Sequence, residues 1–347
     1  MDPRSALPVN AILDGNYRIE RVVGAGGFAV TYEAEDLQLG NKVALKEYYP
    51  IDYGDRDATM GILPKSEVHT TTFEGGRLNF LEEARMLARL EHPSIVRVLR
   101  VFEANSTAYM VMRFEDGQRF ETWLTSLHRA PMQQELDAII APLLDALDLI
   151  HSAGILHRDI APDNIIIRAD GSPVLLDFGA ALRADAAAGR KLTGIVKAGY
   201  SPPEQYTSNC RLQGPWSDFY ALGGTLYRAI TGRAPDEAML RLDNDCMTTA
   251  AKAANGKYRP GFLRAVDACL EVKHSDRPQS GKMLRSLLFG QRLWPTTGSL
   301  RALASSLNPA ARHFIASATT AMVLLDPMIG LNSRVRRQAD KAGRRAR

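Results

Sequence analysis

The sequence contains few cysteines and no signal for export. Three cysteines (Cys210, Cys246 and Cys269) occur among 347 residues, and no two of them have CxxC spacing. This excludes a secreted domain built on disulfides and argues against a zinc site, which needs clustered Cys or His ligands. The first residues also lack the charged start and apolar stretch of a signal peptide. We therefore expect a cytoplasmic protein with reduced thiols.

Most of the chain also lacks an excess of positive charge. The net charge is +4, but the last sixteen residues alone hold seven Lys or Arg and one Asp, a net +6. The body before them is therefore slightly acidic and offers no overall field for nucleic acid, so we expect no nucleic-acid partner. The composition of the whole chain, 45% hydrophobic and 24% charged, is that of an ordinary globular protein.

The tail, residues 290–347, contains no hydrophobic run long enough to span a membrane. Its apolar segment 314–331 is interrupted by Asp326 and Pro327, and the uncharged part is shorter than the roughly 20 residues that a spanning helix needs. We expect either a helix packed on the rest of the protein or a peripheral membrane contact beside the basic end. Docking to a partner and disorder are the remaining alternatives.

The pattern of apolar residues divides the body into two lobes. An N-terminal extension, 1–16, precedes a β-rich lobe, 17–115, and a larger helical lobe, 116–289, which together predict an α+β fold. The predicted strands are 17–23, 42–47 and 109–114, and the predicted helices are 78–91, 136–151 (with a kink at Pro142) and others within 213–232 and 260–289. Residues 48–76 match no regular element, and we expect a long loop that is functional or mobile.

Two short motifs carry the chemistry. His157-Arg158-Asp159 is followed by Asn164, and Asp177-Phe178-Gly179 comes after the next apolar run. Phosphoryl transfer needs one carboxylate that accepts a proton from the attacking hydroxyl and another that holds Mg²⁺ across the phosphates. An amide oxygen such as that of Asn164 can complete the metal shell.

Over residues 17–289 these motifs resemble a eukaryotic-type (Hanks-type) protein kinase domain, of the kind also found in bacteria. The resemblance implies a two-lobed kinase fold that binds ATP and Mg²⁺. It also implies that Asp159 is the catalytic base, that Asn164 and Asp177 are metal ligands, and that Phe178 packs beneath the site.

The ATP site follows from the same resemblance. Gly24, Gly26 and Gly27 match the phosphate-covering loop, with Ala29 in place of its third glycine, and Lys46 in Val-Ala-Leu-Lys matches the lysine that binds the α- and β-phosphates. The spacing to the following His-Pro selects Glu83 over Glu82 as the partner of Lys46. Met112 resembles the gatekeeper, and the backbones of Arg113 and Glu115 are expected to face the adenine.

Three further residues distinguish a protein kinase from a small-molecule kinase. Glu204 in Pro-Pro-Glu resembles the end of the activation segment, Arg277 its arginine partner, and Asp218 the aspartate that anchors the catalytic loop. A buried Glu–Arg pair is costly unless both members are present, so the first two assignments support each other.

Two departures from the family pattern belong together. Ala161 replaces the lysine that usually lies two residues after the base, and Lys197 replaces a threonine of the activation segment. Our hypothesis is an exchange, in which Lys197 directs its ammonium group to Asp159 and the γ-phosphate; the alternative is a solvent-facing lysine. Thr193 is the one Ser or Thr between Gly179 and Tyr200, and so the local candidate for activating phosphorylation.

The resemblance implies an enzyme that transfers the γ-phosphoryl group of Mg-ATP to serine or threonine hydroxyls of proteins, itself included. The alternative is a nucleotide-binding scaffold with little catalysis, although every base, metal and phosphate position is filled. We further expect that a partner bound to 48–76, between Lys46 and the helix of Glu83, would control the position of that helix and hence the activity.

Overall fold

A computed structural model gives the fold of residues 6–178, 182–183, 196–207, 209–254 and 256–290. The tail predictions for 290–347 fall, apart from Gly290, outside these described residues, as does the prediction for Thr193. Within the described ranges, none of the helices combines the length and the hydropathy required to cross a bilayer. Cytoplasmic location and membrane contact through the tail therefore stay predictions.

The small lobe contains β1 (Ile12–Leu13), β2 (Tyr17–Ala25), β3 (Ala29–Asp36), β4 (Asn41–Tyr48), β5 (Gly54–Arg56), β6 (Ile62–Pro64), α1 (Glu67–Leu87), β7 (Val98–Ala104) and β8 (Thr107–Arg113). Six of these strands form an antiparallel sheet with the order β1-β2-β3-β4-β8-β7. Leu7 is buried and β1 pairs with β2, so the N-terminal extension packs on this lobe from residue 6 onward.

The register of this sheet gives its two faces different tasks. Lys46 lies opposite Met110 on one face, from which it reaches α1. Glu47, the next residue, lies opposite Tyr109 on the other face. Because side chains alternate along a strand, the two neighbouring charges serve separate clusters, one in the cleft and one beneath the insertion.

The prediction of a loop over 48–76 was wrong. The chain forms the β5–β6 hairpin there and then enters α1 at Glu67, eleven residues before the predicted start at Leu78. The helix includes Gly75 and Gly76, which disfavour helix in isolation by about 1 kcal/mol each. Burial of Phe73, whose ring packs against Tyr48, outweighs that propensity.

The large lobe is mainly helical, as predicted. Its elements are β9 (Gly117–Arg119), α2 (Phe120–Ser126), α3 (Gln133–Ser152), β10 (Ile155–Leu156), β11 (Ile165–Arg168), β12 (Pro173–Leu175), β13 (Leu182–Arg183), α4 (Pro215–Thr231), α5 (Ala238–Asp243), α6 (Ala250–Ala253), α7 (Pro260–Cys269) and α8 (Gly281–Phe289). The stripe predicted for 136–151 is the buried face of α3, and Pro142 does not divide this helix.

Two small sheets position the loops of the site. β11 lies between β9 and β12, and it begins directly after Asn164. β10 pairs with β13 just before His157. The loop from His157 to Asn164 is therefore fixed at both ends by strand pairing, on the side of the large lobe that faces Lys46.

Candidate active site

The catalytic loop brings Asp159 and Asn164 into direct contact. Asn164 Nδ2 donates to Asp159 Oδ2 at 2.7 Å and to the Asp159 carbonyl at 2.8 Å. This places the amide nitrogen on Asp159 and leaves the amide oxygen to face elsewhere. Burial raises the pKa of Asp159, while the nearby His157 and Lys197 act to lower it. A carboxylate with a raised pKa is a better proton acceptor for a hydroxyl.

The backbone of this loop is held from below by Asp218. Its carboxylate accepts from the backbone N–H of His157 at 3.0 Å and of Arg158 at 2.8 Å, and it lies 2.7 Å from Nε2 of His151. Arg158 needs such support because its φ of 68° lies in the left-handed region. Burial alone would raise the pKa of Asp218, but its hydrogen bond with His151 contributes to a net lowering.

Lys46 and Asp177 meet across the cleft. Lys46 Nζ lies 2.6 Å from Asp177 Oδ1, whereas Glu83 Oε1 is 4.0 Å away. Asp177 also has a left-handed φ of 50°, and the following Phe178 is buried against the His157 ring. The structure thus brings together the predicted phosphate-binding lysine and metal-binding aspartate.

Glu83 is the glutamate that faces Lys46, while Glu82 is exposed. Burial raises the pKa of Glu83 to about 8 because Lys46, at 4.0 Å, compensates only in part. No described donor bonds to its Oε1. In this structure the ammonium group of Lys46 binds Asp177, and Glu83 is the more distant of its two carboxylate neighbours.

Gly26 and Gly27 lie in the turn between β2 and β3, whereas Gly24 lies near the end of β2, opposite Thr31. The tip is tied to the chain that follows β4, because Tyr49 N donates to Phe28 O and Ile51 N donates to Gly27 O, both at 2.9 Å. The start of the insertion therefore continues the sheet ladder up to the glycine-rich turn.

The hinge between the lobes lies at 113–117. Arg113 N is used by the Arg97 carbonyl at 2.9 Å, so its carbonyl is the group left for an adenine edge. Glu115 turns its side chain away to Arg168, whose Nε and Nη2 each lie 2.7 Å from Oε2. Arg168 also donates to the Pro93 carbonyl at 3.0 Å, which ties the hinge to the loop after α1.

Lys197 lies at the site, but its hydrogen bond differs from the prediction. Nζ lies 3.0 Å from Asp163 Oδ2 and does not form a hydrogen bond with the Asp159 carboxylate, whose Oδ2 accepts from Asn164 Nδ2. The charge of Lys197 nevertheless acts to lower the pKa of Asp159. Lys197 therefore acts on Asp159 by electrostatic attraction and not by the hydrogen bond that was expected.

The predicted anchor of the activation segment is formed. Arg277 Nη1 and Nη2 lie 2.7 and 3.1 Å from the two carboxylate oxygens of Glu204, and both side chains are buried. The hydroxyl of Ser217 donates to the same carboxylate at 2.7 Å. This arrangement holds the end of the activation segment against α4.

Sequence reasoning missed three charged residues around the cleft: Asp163, Arg119 and Arg168. Each lies within five residues of a recognised motif, but none of the motifs requires a charged residue at that position. Arg119 Nη1 donates to the Asp163 carbonyl at 2.9 Å, which becomes apparent only when β9 pairs with β11.

Known proteins share this arrangement. The protein kinase domain profile matches residues 17–289. The chain belongs to the protein kinase family. A serine/threonine-protein kinase of Myxococcus xanthus, pkn2, is 32% identical over 81% of this chain and 33% of that protein. PknA of Mycobacterium tuberculosis, also named a serine/threonine-protein kinase, is 34% identical over 68% of this chain and 50% of that protein.

A solved structure titled PpkA-294 apo form is 35% identical, with a TM-score of 0.71, over 82% of this chain and 99% of that one. The two-lobed kinase fold predicted from the motifs is therefore confirmed. The kinase described here spans about a third to a half of the curated relatives it matches. The activities of those longer proteins as a whole are not assigned to this chain.

Proposed function

We propose that this kinase transfers the γ-phosphoryl group of Mg-ATP to serine or threonine hydroxyls of proteins, including its own. The observation that carries the proposal is the cluster of Asp159, Asn164, Asp177 and Lys46 at one cleft. The Glu204–Arg277 anchor supports protein substrates, because it holds the end of the activation segment, where Gln205 Nε2 donates to the Arg158 carbonyl at 2.8 Å. The names of the relatives support the choice of serine and threonine.

The residues present fit a magnesium ion. The amide oxygen of Asn164 and the carboxylate of Asp177 are hard oxygen ligands, and Mg²⁺ takes its remaining ligands from phosphates and water. When bound, Mg²⁺ would neutralise charge on the phosphate oxygens.

Each side chain then has one task. Asp159 orients the acceptor hydroxyl and takes its proton, helped by the raised pKa that burial gives it. Asn164 keeps the Asp159 carboxylate in place through Nδ2. Lys46 Nζ binds Asp177 Oδ1 in this structure, and we expect its ammonium group to turn towards the phosphates and Glu83 when the nucleotide binds. The backbone of the glycine-rich turn and the carbonyl of Arg113 are proposed to contact the nucleotide.

The first test is autophosphorylation with γ-labelled ATP and Mg²⁺. We expect label on the wild type and none on Asp159→Asn or Lys46→Ala, followed by recovery of phosphoserine or phosphothreonine after acid hydrolysis. Equilibrium binding of a fluorescent nucleotide shows whether the variants still fold and bind. Binding without label on the wild type would contradict the proposal and favour the scaffold alternative.

Lys197 is proposed to assist catalysis by its charge, with Asp163 as the group that positions it. Lys197→Ala is expected to lower kcat about tenfold, because a cation near the transferring charge stabilises the transition state. Asp163→Asn is the matched control, since it removes the ion pair and keeps the ammonium group. If Lys197→Ala leaves kcat unchanged, the lysine exchange is wrong.

A further inference from the structure

Arg119 occupies a fixed place at the rim of the cleft. It ends β9, where it lies opposite Ile166, two residues after Asn164. The strand is held close to its neighbour because a side chain on Gly117 would overlap the Ile167 carbonyl. Nη1 of Arg119 donates to the Asp163 carbonyl at 2.9 Å, so the guanidinium is positioned by the same strand pairing that positions the catalytic loop.

Two cations in the elements beside Arg119 have carboxylate partners. Lys197 is paired with the Asp163 carboxylate, and Arg228 is paired with Glu121. Within the described ranges, Arg119 has no carboxylate partner, and its recorded hydrogen bond goes to a neutral carbonyl. A guanidinium has five N–H donors, so Arg119 offers an exposed, charged fork that an anion can complete.

Arg119 lies beside the beginning of the glycine-rich segment. A methyl group on Gly24, at the strand end of the glycine-rich segment, would lie 3.8 Å from Nη2 of Arg119. The phosphates are expected further along, under Gly26 and Gly27 and at the buried Lys46. The Asp163 carbonyl, on the other side of Arg119, belongs to the loop that presents Asp159. Since Gly26, Gly27 and Lys46 are expected to hold the phosphates of ATP, the protein substrate is the other source of an anion at Arg119.

We infer that Arg119 recognises an acidic side chain of the protein substrate, close in sequence to the acceptor hydroxyl. The inference rests on the proposed kinase function and narrows it to substrates with Asp or Glu near the phosphorylated residue. A basic residue at that position is disfavoured, because it would face the guanidinium of Arg119 without a carboxylate to offset it. Arg119 thereby acts as a specificity residue, and the chemistry at Asp159 is independent of it.

The test uses the full chain and peptides with one serine in an alanine background. Asp, Gln or Lys is placed in turn at each of the five positions on either side of the serine, and kcat/KM is measured for each peptide. We expect Asp to be preferred over Lys about tenfold at one position in the wild type. The preference should fall to about twofold in Arg119→Gln, since an exposed ion pair is worth a few-fold in affinity.

Charge reversal makes the test specific to this contact. Arg119→Glu should favour the peptide that carries Lys at the same position, while the exposed Arg264 on α7 supplies the control Arg264→Gln, which should behave as wild type. If Asp and Lys peptides are equivalent in the wild type, or if the preference survives Arg119→Gln, the inference is wrong. A change in KM for ATP alone would assign Arg119 to the nucleotide and overturn it.

Binding separates this inference from the proposed function. Anisotropy of the labelled Asp peptide is measured with a non-hydrolysable ATP analogue and Mg²⁺, in the wild type and in Arg119→Gln. Weaker binding of the Asp peptide to the variant supports the inference even if no peptide is phosphorylated. Equal binding contradicts it even if the enzyme is active.

Discussion

Each lobe contains a buried glutamate–arginine pair, and the two pairs differ in what they join. In the large lobe, Glu204 and Arg277 are 73 residues apart in sequence. In the small lobe, Glu47 and Arg56 are nine residues apart, and Arg56 Nη1 and Nη2 lie 3.1 and 2.5 Å from the two Glu47 oxygens. Both pairs are bidentate and shielded from water, so their geometry alone does not distinguish them.

Their surroundings do. The Arg277 guanidinium also donates to the carbonyls of Glu271 and Val272, at 2.7 and 2.8 Å, and faces the Tyr220 ring at 4.7 Å. The Glu47 carboxylate instead collects two hydroxyls, from Tyr32 at 2.7 Å and Tyr109 at 2.6 Å.

In the large lobe the arginine is thus the better supported partner, and in the small lobe the glutamate is. Removing the less supported partner should leave the other with more of its contacts intact. The large-lobe pair closes a long section of the fold, whereas the small-lobe pair attaches one hairpin to a sheet that is otherwise complete.

The largest effect is expected from breaking the large-lobe pair. Glu204→Gln leaves the Arg277 charge buried, and we expect a loss of about 3–5 kcal/mol in the free energy of unfolding. Urea denaturation followed by far-UV circular dichroism measures it. The exposed Arg264→Gln should change the stability by no more than about 0.5 kcal/mol, and an equally small loss in Glu204→Gln would contradict the importance given to the pair.

Breaking the small-lobe pair should cost less. Arg56→Met is expected to destabilise by about 2 kcal/mol, because the Glu47 carboxylate keeps its two tyrosine hydroxyls and the hairpin can open to admit water. Lys65→Met, on the same hairpin, removes only an exposed ion pair with Asp55 at 3.9 Å and should be nearly neutral. A loss as large as that of Glu204→Gln would show that the insertion is integral to the whole small lobe.

Two adjacent glycines test the attachment of α1, which follows that hairpin. Gly76 lies against Tyr48, and an added methyl group would overlap its hydroxyl and approach Cζ at 2.9 Å, whereas nothing lies within 4 Å of one on Gly75. Gly75→Ala should stabilise by about 0.5–1 kcal/mol through helix propensity, and Gly76→Ala should destabilise by about 1 kcal/mol. Thermal unfolding of both variants gives the two signs, and stabilisation by Gly76→Ala would show that Tyr48 has room to move.

The large-lobe pair and the catalytic cluster could be predicted because the short motifs that contain them resemble those of the protein kinase family. Asp159, Asn164 and Asp177 could be assigned from their motifs alone. The choice of Glu83 over Glu82 rested on the number of residues between the glutamate and the following Pro93. The two lobes were also separable, since α3 and α4 have continuous apolar stripes.

The insertion could not be predicted in the same way. Its strands are three residues long, too short for a periodic signal, and two glycines conceal the first half of α1. Arg56 binds Glu47, the residue after Lys46, and no motif in the sequence marks Glu47 as an ion-pair partner. Lys197 was identified from the sequence, but its hydrogen-bonding partner was not. No motif marks Asp163 as that partner, and Asp159 Oδ2 is already bonded to Asn164.

The two hydrogen bonds from Tyr49 and Ile51 to the glycine-rich turn have a consequence for exchange with solvent. The amide protons of these two residues are shielded only while Phe28 and Gly27 stay in the ladder. Deuterium uptake at these two amides therefore measures how often the glycine-rich turn opens. Both amides belong to residues that lie outside the turn. In this kinase, the segment that follows Lys46 is both the support of the turn and a natural gauge of its opening.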